Sequence, residues 1–368
     1  MSIPEIPLTA RQDVRATAHI DFKTLPVIDI SGLYSLNPTE RGEAARALGA
    51  AAKGSGFCYI TGHGVSPDVV RGVLRQAQTF FALPVEEKMR LYIGYSKNHR
   101  GYVPEGEEVF SGGTKDRKEA FDLGLDLQAD DAIVSAGTPM LGSNAWPDMP
   151  GFREDVSAYY DAVFSLGITL FRGFALALGL EENYFTRFVT KPPSQLRLIH
   201  YPYNADAVDA VGIGAHTDYE CFTILLSTAP GLEVMNGAGE WIDAPPLDGA
   251  FIVNVGDLME VWTNGELVAT SHRVRRVREE RYSCAMFCTC DYQTLVEPLP
   301  AFVGPAGPPK YQPQFAGAHL FAQTAQSFSY LKKRLETGDL VLPDSARPLS
   351  SYGQEARYSK LSSGVAES

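Results

Sequence analysis

The sequence predicts a mixed α+β protein in which a helical N-terminal portion supports a C-terminal antiparallel sandwich or jelly roll. Two observations carry this prediction. Helix-like segments dominate the chain before Pro193, whereas after it short runs rich in β-branched and aromatic residues follow one another at close spacing. Gly, Pro, Asn and Asp separate these runs, which is typical of antiparallel strands joined by tight turns.

The first half of the chain is predicted from local start signals and apolar periodicity. Thr39 fits the N-cap position of an Ala-rich helix, and Ser66 with Pro67 fits the cap and first turn of the next helix. Apolar residues recur near the 3.6-residue period over 152–178, which predicts a long helix. Residues 92–150 carry no clear pattern. In order, the predicted elements before that stretch are a loose arm at 1–24, a strand at 25–30, a helix at 39–53, a strand at 56–61 and a helix at 66–81.

The second half is predicted to consist of short strands followed by a terminal helix. The strand-like runs lie at 196–201, 221–227, 232–236, 251–255 and 283–290. A helix is predicted near 322–336, after a Pro-rich link at 304–313. We therefore divide the chain into an arm at 1–24, a helical and β region at 25–150, a supporting long helix at 151–192, a jelly-roll core at 193–300, and a C-terminal helix and tail at 301–368.

Composition narrows the class of protein. Hydrophobic residues make up 45% of the 368 residues, which is enough for a sizeable core. The formal net charge of −12 argues against a general affinity for nucleic acids or anionic membranes. No run approaches the roughly 18 apolar residues of a membrane span, and the first residues do not resemble a secretion signal. We expect a cytoplasmic monomer or weak homo-oligomer that binds a small molecule.

The cysteines are sparse and odd in number, at positions 58, 221, 284, 288 and 290. Cys284, Cys288 and Cys290 differ by even numbers, so on a strand they would share one face. Their spacing does not supply the two ligand pairs of a zinc knuckle. We expect buried thiols in a reducing compartment rather than a disulfide framework.

The most informative residues are His216, Asp218 and His272, followed by Arg281 and Ser283. In an extended segment, residues 216 and 218 point to the same side, so both can reach one ion. Two imidazoles and one carboxylate can occupy one face of an octahedral metal and leave three positions open. That arrangement is typical of non-haem Fe(II) oxygenases. The cation and hydroxyl that follow can hold a carboxylate through charge-assisted hydrogen bonds.

The H-x-D pattern alone is a weak signal, because about one match is expected by chance among 7 His and 44 acidic residues. His19 begins a second match in the N-terminal arm, where no strand pattern surrounds it, and we do not expect it to bind metal. The alternative for His216 and His272 is that both are ordinary polar residues near strand ends. Their joint spacing with Arg281 and Ser283 disfavours that alternative.

Longer stretches of the chain match a known family in order. They are LPVIDI at 25–30, GFCYITGHGV at 56–65, FFALP at 80–84, KEAFD at 118–122, LRLIHYP at 196–202, NVGD at 254–257, WTNG at 262–265 and SHRV at 271–274. Over roughly residues 25–336 the chain resembles the isopenicillin N synthase-like family of Fe(II)/2-oxoglutarate-dependent dioxygenases. The resemblance implies a double-stranded β-helix (jelly-roll) core with flanking N-terminal helices and a C-terminal helix.

The resemblance also implies roles for individual residues. The implied iron ligands are His216, Asp218 and His272, and the implied binders of 2-oxoglutarate are Arg281, Ser283 and Tyr201. Ile199 stands where many family members carry Asn, near the metal-binding end of the co-substrate. His200 alternates away from Tyr201, so the two side chains are expected on opposite sides of the strand. The implied reaction hydroxylates, desaturates or cyclises a small molecule with O2 and yields succinate and CO2.

The substrate pocket is less well defined by the sequence. By analogy of position, the candidates for its lining are Arg100, Tyr102, Phe110, Phe121, Phe222, Phe287 and Tyr292. The alternative is that the aromatic members of this set are core residues. For Arg100 the alternative is an ordinary solvated surface position.

Two other functions remain open at this point. The first is an Fe(II) oxidase like isopenicillin N synthase, which does not use 2-oxoglutarate and takes all its electrons from the substrate. In that case the R-x-S pair at Arg281 and Ser283 would hold a carboxylate of the substrate. The second is a non-catalytic barrel that binds a small ligand.

Overall fold

The computed structural model of the protein describes residues 20–108, 117–203, 211–275, 279–304 and 308–344. Within these ranges the helices are α1 (Pro38–Gly54), α2 (Pro67–Phe81), α3 (Val85–Lys88), α4 (Ala132–Ser135), α5 (Phe152–Ala177), α6 (Asp257–Trp262), α7 (Ala316–Ser327) and α8 (Ser329–Thr337). The strands are β1 (Val27–Asp29), β2 (Phe57–Thr61), β3 (Gly101–Val103), β4 (Glu119–Gly124), β5 (Gln195–Tyr201), β6 (Val211–His216), β7 (Phe222–Ser227), β8 (Leu232–Met235), β9 (Trp241–Asp243), β10 (Phe251–Val255), β11 (His272–Arg275), β12 (Arg281–Cys288), β13 (Leu295–Val296) and β14 (Gln314–Phe315).

Local sequence signals set the starts of the first two long helices. The side chain of Asn37 accepts a hydrogen bond from the Thr39 backbone N–H (3.0 Å), so Asn37 rather than the predicted Thr39 is the N-cap of α1. Pro38 occupies the first turn, where its missing N–H would have no helical partner. Ser66 caps α2, whose first residue is Pro67, as the sequence predicts.

Most of the described strands form two sheets. The larger has the strand order β1-β2-β10-β7-β12-β5-β4-β3 and is antiparallel except for the β1–β2 pair. The smaller has the order β6-β11-β8-β9 and is antiparallel throughout. The remaining strands, β13 and β14, pair separately. Strands from distant parts of the sequence therefore lie side by side. Their pairing brings residues that are far apart in the sequence close together in space.

Two apolar cores lie on opposite faces of the larger sheet. The outer core is formed with α1, α2 and α5 and includes Phe80, Phe121 and Phe222. The inner core lies between the two sheets and joins Ile199 and Tyr201 of the larger sheet to residues of the smaller one, namely Ile213, Leu232, Val234 and Val274. Because side chains alternate along a strand, neighbouring residues of β5 and β12 point into different cores.

Helix α5 is the central helix of the outer core. Among the described helices it alone is long and apolar enough to cross a membrane, which departs from the expectation that no run approaches that length. Half of its most apolar window is buried inside the protein, where the helix packs against α1 and α2. A core helix that is apolar over most of its surface has the same composition as a membrane span.

The structure resolves two regions where the sequence pattern was incomplete. Residues 92–150 contain β3, β4 and α4, which are 3, 6 and 4 residues long and therefore too short to show a clear period. The single helix predicted near 322–336 is two helices, α7 and α8. Phe328 separates them, because its backbone is extended (φ −91°, ψ 130°).

The cysteines are buried and free, as expected from their spacing. Burial raises the pKa of Cys58 and of Cys284 to about 12, so both thiols stay protonated at neutral pH. Such thiols are weak nucleophiles and weak metal ligands. They act as small apolar residues of the core.

Candidate metal centre and active site

The side chains of His216, Asp218 and His272 converge on one point. His216 ends β6 and His272 begins β11, and the two are direct cross-strand partners. Oδ1 of Asp218 lies 3.6 Å from Nε2 of His216 and 3.5 Å from Nε2 of His272. One ligand atom from each residue falls within 4.8 Å of the others. Three side chains at this spacing can share one ion.

Backbone carbonyls orient the two imidazoles. Nδ1 of His216 lies 2.7 Å from the carbonyl oxygen of Gly214, and Nδ1 of His272 lies 3.2 Å from that of Thr270. A carbonyl oxygen only accepts, so each Nδ1 carries the proton and each Nε2 presents its lone pair to the centre. Metal-binding histidines are held in this way by a hydrogen bond from the other ring nitrogen.

Two donors orient the carboxylate of Asp218. Nδ2 of Asn254 donates to Oδ2 at 2.7 Å, and the hydroxyl of Thr223 donates to the same oxygen. Oδ1 is therefore the oxygen directed at the two imidazoles. Asp218 and both donors are buried, so the geometry is shielded from water.

The electrostatics of the centre favour a cation. Burial alone would raise the pKa of Asp218, but the nearby imidazoles and the Asn254 donor outweigh burial and lower that pKa. Burial and the neighbouring His272 lower the pKa of His216 to about 4, so its ring is neutral at neutral pH. Burial alone would lower the pKa of His272, but the Asp218 carboxylate outweighs burial and raises that pKa above the ordinary value. One ionised carboxylate beside two imidazoles suits Fe(II), with three positions left for exchangeable ligands.

Arg281, Ser283 and Tyr201 lie together on the same inner face of the larger sheet. Arg281 is 1% exposed, and its guanidinium lies over the Tyr201 ring at 4.5 Å from the centroid. Nη1 donates to the Ser283 hydroxyl at 3.3 Å, and Nε donates to the carbonyl oxygen of Ala229 at 3.2 Å. Arg281 and Tyr201 are cross-strand partners in β12 and β5, and Ile199 is the partner of Ser283.

The guanidinium of Arg281 has no carboxylate partner among the described residues. A buried charge without a counter-ion is costly, so such a group fits an anionic ligand. Its planar fork can hold both oxygens of one carboxylate. The residues present therefore fit one carboxylate group of a small anionic ligand.

A cavity opens beside the metal ligands, between the larger sheet and helix α7. Its walls are formed by the metal ligands His216 and Asp218 and by His99, Glu108, Gln195, Arg197, Thr217, Tyr219, Glu220, Phe287, Leu320, Thr324, Ser327 and Phe328. Gln195 and Arg197 reach it from β5, and Phe287 reaches it from β12. The lining thus combines the aromatic rings of Tyr219, Phe287 and Phe328 with several buried polar groups.

A buried network of charges forms one wall of the cavity. Arg197 donates to both oxygens of Asp122 (2.7 and 2.8 Å) and through Nη1 to Glu108 (3.0 Å). Lys118 donates to Glu108 at 2.5 Å. Burial would raise the pKa of Glu108, but Arg197 and Lys118 lower it to about 2. Two cations and two carboxylates cancel, so this wall is polar without net charge.

The structure brings only part of the candidate substrate set to this cavity. Phe287 lines it. Tyr102, Phe121 and Phe222 do not, because strand alternation directs them into the outer core, against α2 and α5. The pocket position expected for these three residues is therefore wrong. They are core aromatic residues, which was the alternative.

The other candidates also lie away from the cavity. Arg100 is buried rather than solvated and donates to the carbonyl oxygens of Met140 (2.8 Å) and His99 (3.1 Å). Tyr292 packs in a small separate cluster with Leu127 and Leu141. Both therefore have structural contacts in place of the pocket position expected from the sequence. Phe110 and His19 lie outside the described residues.

Several lining residues were not identified from the sequence. Gln195 and Arg197 share the face of Tyr201 at a spacing of two, so strand alternation could have indicated them. Glu108 and Phe328 carried no such signal. They meet through an isolated bridge between the segment after β3 and the break between α7 and α8.

Comparisons with known proteins agree with this site. The family model described as "non-haem dioxygenase in morphine synthesis N-terminal" matches residues 25–149, and the "2OG-Fe(II) oxygenase superfamily" model matches residues 192–289. Together they cover more than half of the chain. The second match contains the three metal ligands together with Arg281 and Ser283.

Individual relatives and solved structures give the same result. A homoarginine-6-hydroxylase of Oryza sativa subsp. japonica is 33% identical over 325 residues, which are 84% of this chain and 98% of the relative. The 2-oxoglutarate-dependent dioxygenase caaD of Aspergillus niger is 34% identical over 72% of this chain and 83% of its own length. The crystal structure of a full-length Neurospora crassa protein in complex with alpha-KG matches with a TM-score of 0.70 and 28% identity, covering 86% of this chain and 98% of that one.

A 2OG-Fe(II) oxygenase family protein of Caulobacter crescentus matches with a TM-score of 0.71 and 29% identity, over 86% of this chain and 100% of that chain. These neighbours confirm the jelly-roll core expected from the sequence. With the converged ligands and the family matches, they show that the cofactors are Fe(II), 2-oxoglutarate and O2. The chain belongs to the 2OG-Fe(II) oxygenase superfamily, within its isopenicillin N synthase-like family, and is an Fe(II)/2-oxoglutarate-dependent dioxygenase.

Proposed function

We propose that the protein hydroxylates a small polar molecule at the cavity beside His216 and Asp218. The observation that carries this proposal is the position of the cavity, whose wall includes two of the metal ligands. A substrate held there lies next to the open coordination positions. Bound Fe(II), with 2-oxoglutarate and O2, supplies the oxidising power that breaks a substrate C–H bond and leaves succinate and CO2. Desaturation and ring closure are other outcomes of the same chemistry.

In this proposal, Arg281, Ser283 and Tyr201 hold the distal carboxylate of 2-oxoglutarate. Arg281 supplies the charge, and the two hydroxyl-bearing side chains supply further hydrogen bonds. The support is the burial of Arg281 and its lack of an acidic partner among the described residues. Ile199 adds an apolar contact beside Ser283, so the co-substrate would make no side-chain hydrogen bond at that position.

The chain's own residues also prepare the reaction. Asn254 and Thr223 keep Oδ1 of Asp218 directed at the metal position. The inner core around Ile213 and Val274 excludes water from the space between the sheets. Preorganised ligands and a dry wall reduce the cost of reaching the reactive geometry.

The cavity wall supports a substrate that is small, polar and without a strong net charge. Arg197 and Glu108 already neutralise each other with Asp122 and Lys118, so neither needs a counter-ion from the substrate. The amide of Gln195 has no hydrogen-bond partner among the described residues and lines the cavity. Phe287 and Phe328 offer aromatic surfaces for a flat group.

Two relatives suggest where a substrate screen should begin. The rice relative is named for hydroxylation of homoarginine, and a structure of the Neurospora crassa protein contains thymine. Both compounds are small and contain a planar group rich in nitrogen. We include nitrogen-containing planar compounds, both neutral and cationic, in the first screen of this protein. The neutral wall favours the neutral members.

O2 uptake tests the reaction type. The protein is supplied with Fe(II) and candidate substrates, with and without 2-oxoglutarate, and succinate is measured. We expect uptake and succinate only when 2-oxoglutarate is present. Uptake without 2-oxoglutarate and without succinate would instead indicate the oxidase chemistry of isopenicillin N synthase. A failure to bind Fe(II) would favour a non-catalytic ligand-binding barrel.

The cellular setting is also part of the proposal. A cytoplasmic monomer or weak homo-oligomer that binds neither nucleic acids nor membranes fits the net charge of −12 and the buried free thiols. Fractionation of the native cells and light scattering of the purified protein test these points.

A further inference from the structure

His200 is held between two carboxylates and two aromatic rings on the outer face of the larger sheet. Its ring stacks on Phe81 (centroids 5.4 Å apart) and on Tyr282 (4.7 Å). Nδ1 lies 2.8 Å from Oε1 of Glu119, and Nε2 lies 2.5 Å from Oε1 of Glu280. The side chain is buried and takes no part in the metal site described above.

The two contacts define the protonation state of the ring. A carboxylate only accepts, and a neutral imidazole has a single N–H. Both contacts are therefore hydrogen bonds only when His200 is an imidazolium. Burial lowers the pKa of His200, but hydrogen bonds and attraction from Glu119 and Glu280 outweigh burial and raise it above the ordinary value of 6.5.

The groups around His200 keep both carboxylates ionised. Glu119 on β4 also accepts from Lys88 of α3 (2.7 Å) and from the Tyr102 hydroxyl of β3 (2.6 Å). Glu280 also accepts from the Tyr203 N–H (2.9 Å) and the Tyr282 hydroxyl (3.2 Å). Hydrogen bonds from these groups and from His200 lower the pKa of each carboxyl, against the effect of burial.

The contact with Glu280 lies directly beside the proposed co-substrate anchor. Glu280 is the residue before Arg281, which starts β12. Tyr282 and His200 are cross-strand partners, as are Arg281 and Tyr201. The ion pair thus ties the start of β12 to β5 on the outer face of the sheet. Arg281, one residue further along the chain than Glu280, points to the inner face.

We propose that the His200–Glu280 ion pair positions Arg281 for the distal carboxylate of 2-oxoglutarate, so that affinity for 2-oxoglutarate weakens when His200 loses its proton. This inference rests on the proposed role of Arg281. His200 is a positioning residue, because it acts on the co-substrate only through Glu280 and β12. Because side chains alternate along a strand, β5 places Tyr201 on the inner face beside Arg281 and the positioning residue His200 on the outer face.

The direction of the pH effect follows from the raised pKa. The ion pair is fully present below the ordinary histidine pKa and is lost as pH rises through the raised value in the folded protein. At high pH the neutral ring keeps a single N–H, so it can donate to only one of the two carboxylates, and its charge attraction to Glu280 is lost in either tautomer. The start of β12 would then be held less firmly, and Arg281 with it.

The test is calorimetric titration of 2-oxoglutarate into the full-length protein loaded with Mn(II), at about pH 6.5, which is the ordinary pKa of histidine, and at about pH 9. Mn(II) saturation is checked at each pH, so that titration of the metal ligands is separated from the effect. The variants are His200→Phe, which keeps the stacking and removes both hydrogen bonds, and Glu280→Gln, at a half-exposed position. Thermal melting confirms that each variant is folded.

We expect wild-type affinity to fall about fivefold to tenfold between the two pH values, which is the upper part of the range for the loss of one ordinary intramolecular hydrogen bond. The His200→Phe protein should bind weakly at both pH values, and Glu280→Gln should shift the transition to lower pH. A pH response in His200→Phe equal to that of the wild type would overturn the inference. So would wild-type affinity of His200→Phe at pH 6.5 while Arg281→Ala is weakened. Unchanged affinity in Arg281→Ala would instead remove the proposed anchor itself.

Discussion

At the residue scale, the metal centre depends on side chains and carbonyls that hold the ligands in place. Asn254 and Thr223 share one oxygen of Asp218, and this leaves the other oxygen for the metal. The carbonyl groups of Gly214 and Thr270 fix the tautomers of the two histidines. Such supporting contacts strengthen metal binding, because they remove the cost of orienting each ligand.

Asn254→Ala should weaken metal affinity about tenfold, since supporting hydrogen bonds of metal ligands are worth about 10- to 100-fold in affinity. Its loss leaves Oδ2 of Asp218 with Thr223 alone, so the carboxylate can rotate away from the imidazoles. Chelator competition with Mn(II) measures the change. Asn236→Ala is the matched control, because Asn236 is a buried asparagine that contacts Asp21 and Phe22.

The control protein should lose stability and keep its metal affinity. Equal affinities in the wild-type and Asn254→Ala proteins would show that Asn254 does not orient Asp218. Equal weakening in the two variants would mean that affinity follows general stability, and the assignment of Asn254 would then fail.

At the element scale, the alternation of β-strands decides which aromatic residues meet the substrate. Phe222 on β7 packs against Phe171 and Phe174 of α5, with ring centroids 4.6 and 5.3 Å apart. Phe287 on β12 faces the other side and lines the cavity. The two phenylalanines are near neighbours across the β7–β12 pair. Phe222 nevertheless packs in the outer core, whereas Phe287 lines the cavity.

Phe222→Ala should lower the free energy of unfolding by about 3–5 kcal/mol, the usual cost of removing a buried phenylalanine. Phe287→Ala should cost less stability, because its side chain is only partly buried, and should chiefly raise the KM for the organic substrate. Urea unfolding and steady-state kinetics measure the two effects. A larger stability loss for Phe287→Ala, with an unchanged substrate KM, would contradict the assignment of the two faces.

Sequence signals predicted elements where the cause is local. The Ser66–Pro67 start of α2 and the periodicity of α5 are properties of neighbouring residues, and the structure confirms both. The N-cap of α1 was placed two residues too late, because Asn37 and Thr39 are both capping residues. The break at Phe328 was not predicted, since contacts of that residue with the distant Glu108 segment accompany it.

At the scale of the whole molecule, the packing of two sheets creates the site. The smaller sheet contributes His216 and His272, and the larger one contributes Arg281. The sequence predicted the three ligands, because family-like spacing encodes them. It did not predict the charge network of Glu108 and Arg197, whose members are brought together only when the segment after β3 meets β5. The prediction that Tyr102, Phe121 and Phe222 line the pocket was wrong, because their side chains point into the outer core.

The central claim is that the His216, Asp218 and His272 side chains hold one Fe(II) that drives turnover of 2-oxoglutarate. The most direct measurement is anaerobic Fe(II) content per chain, followed by succinate formation in air, for Asp218→Ala and for Asp21→Ala. Asp21 ends the other H-x-D match in the sequence and is exposed, so it is the matched control. We predict one bound iron and wild-type succinate formation for Asp21→Ala, and loss of both for Asp218→Ala. Normal iron content and normal succinate formation in Asp218→Ala would contradict the account.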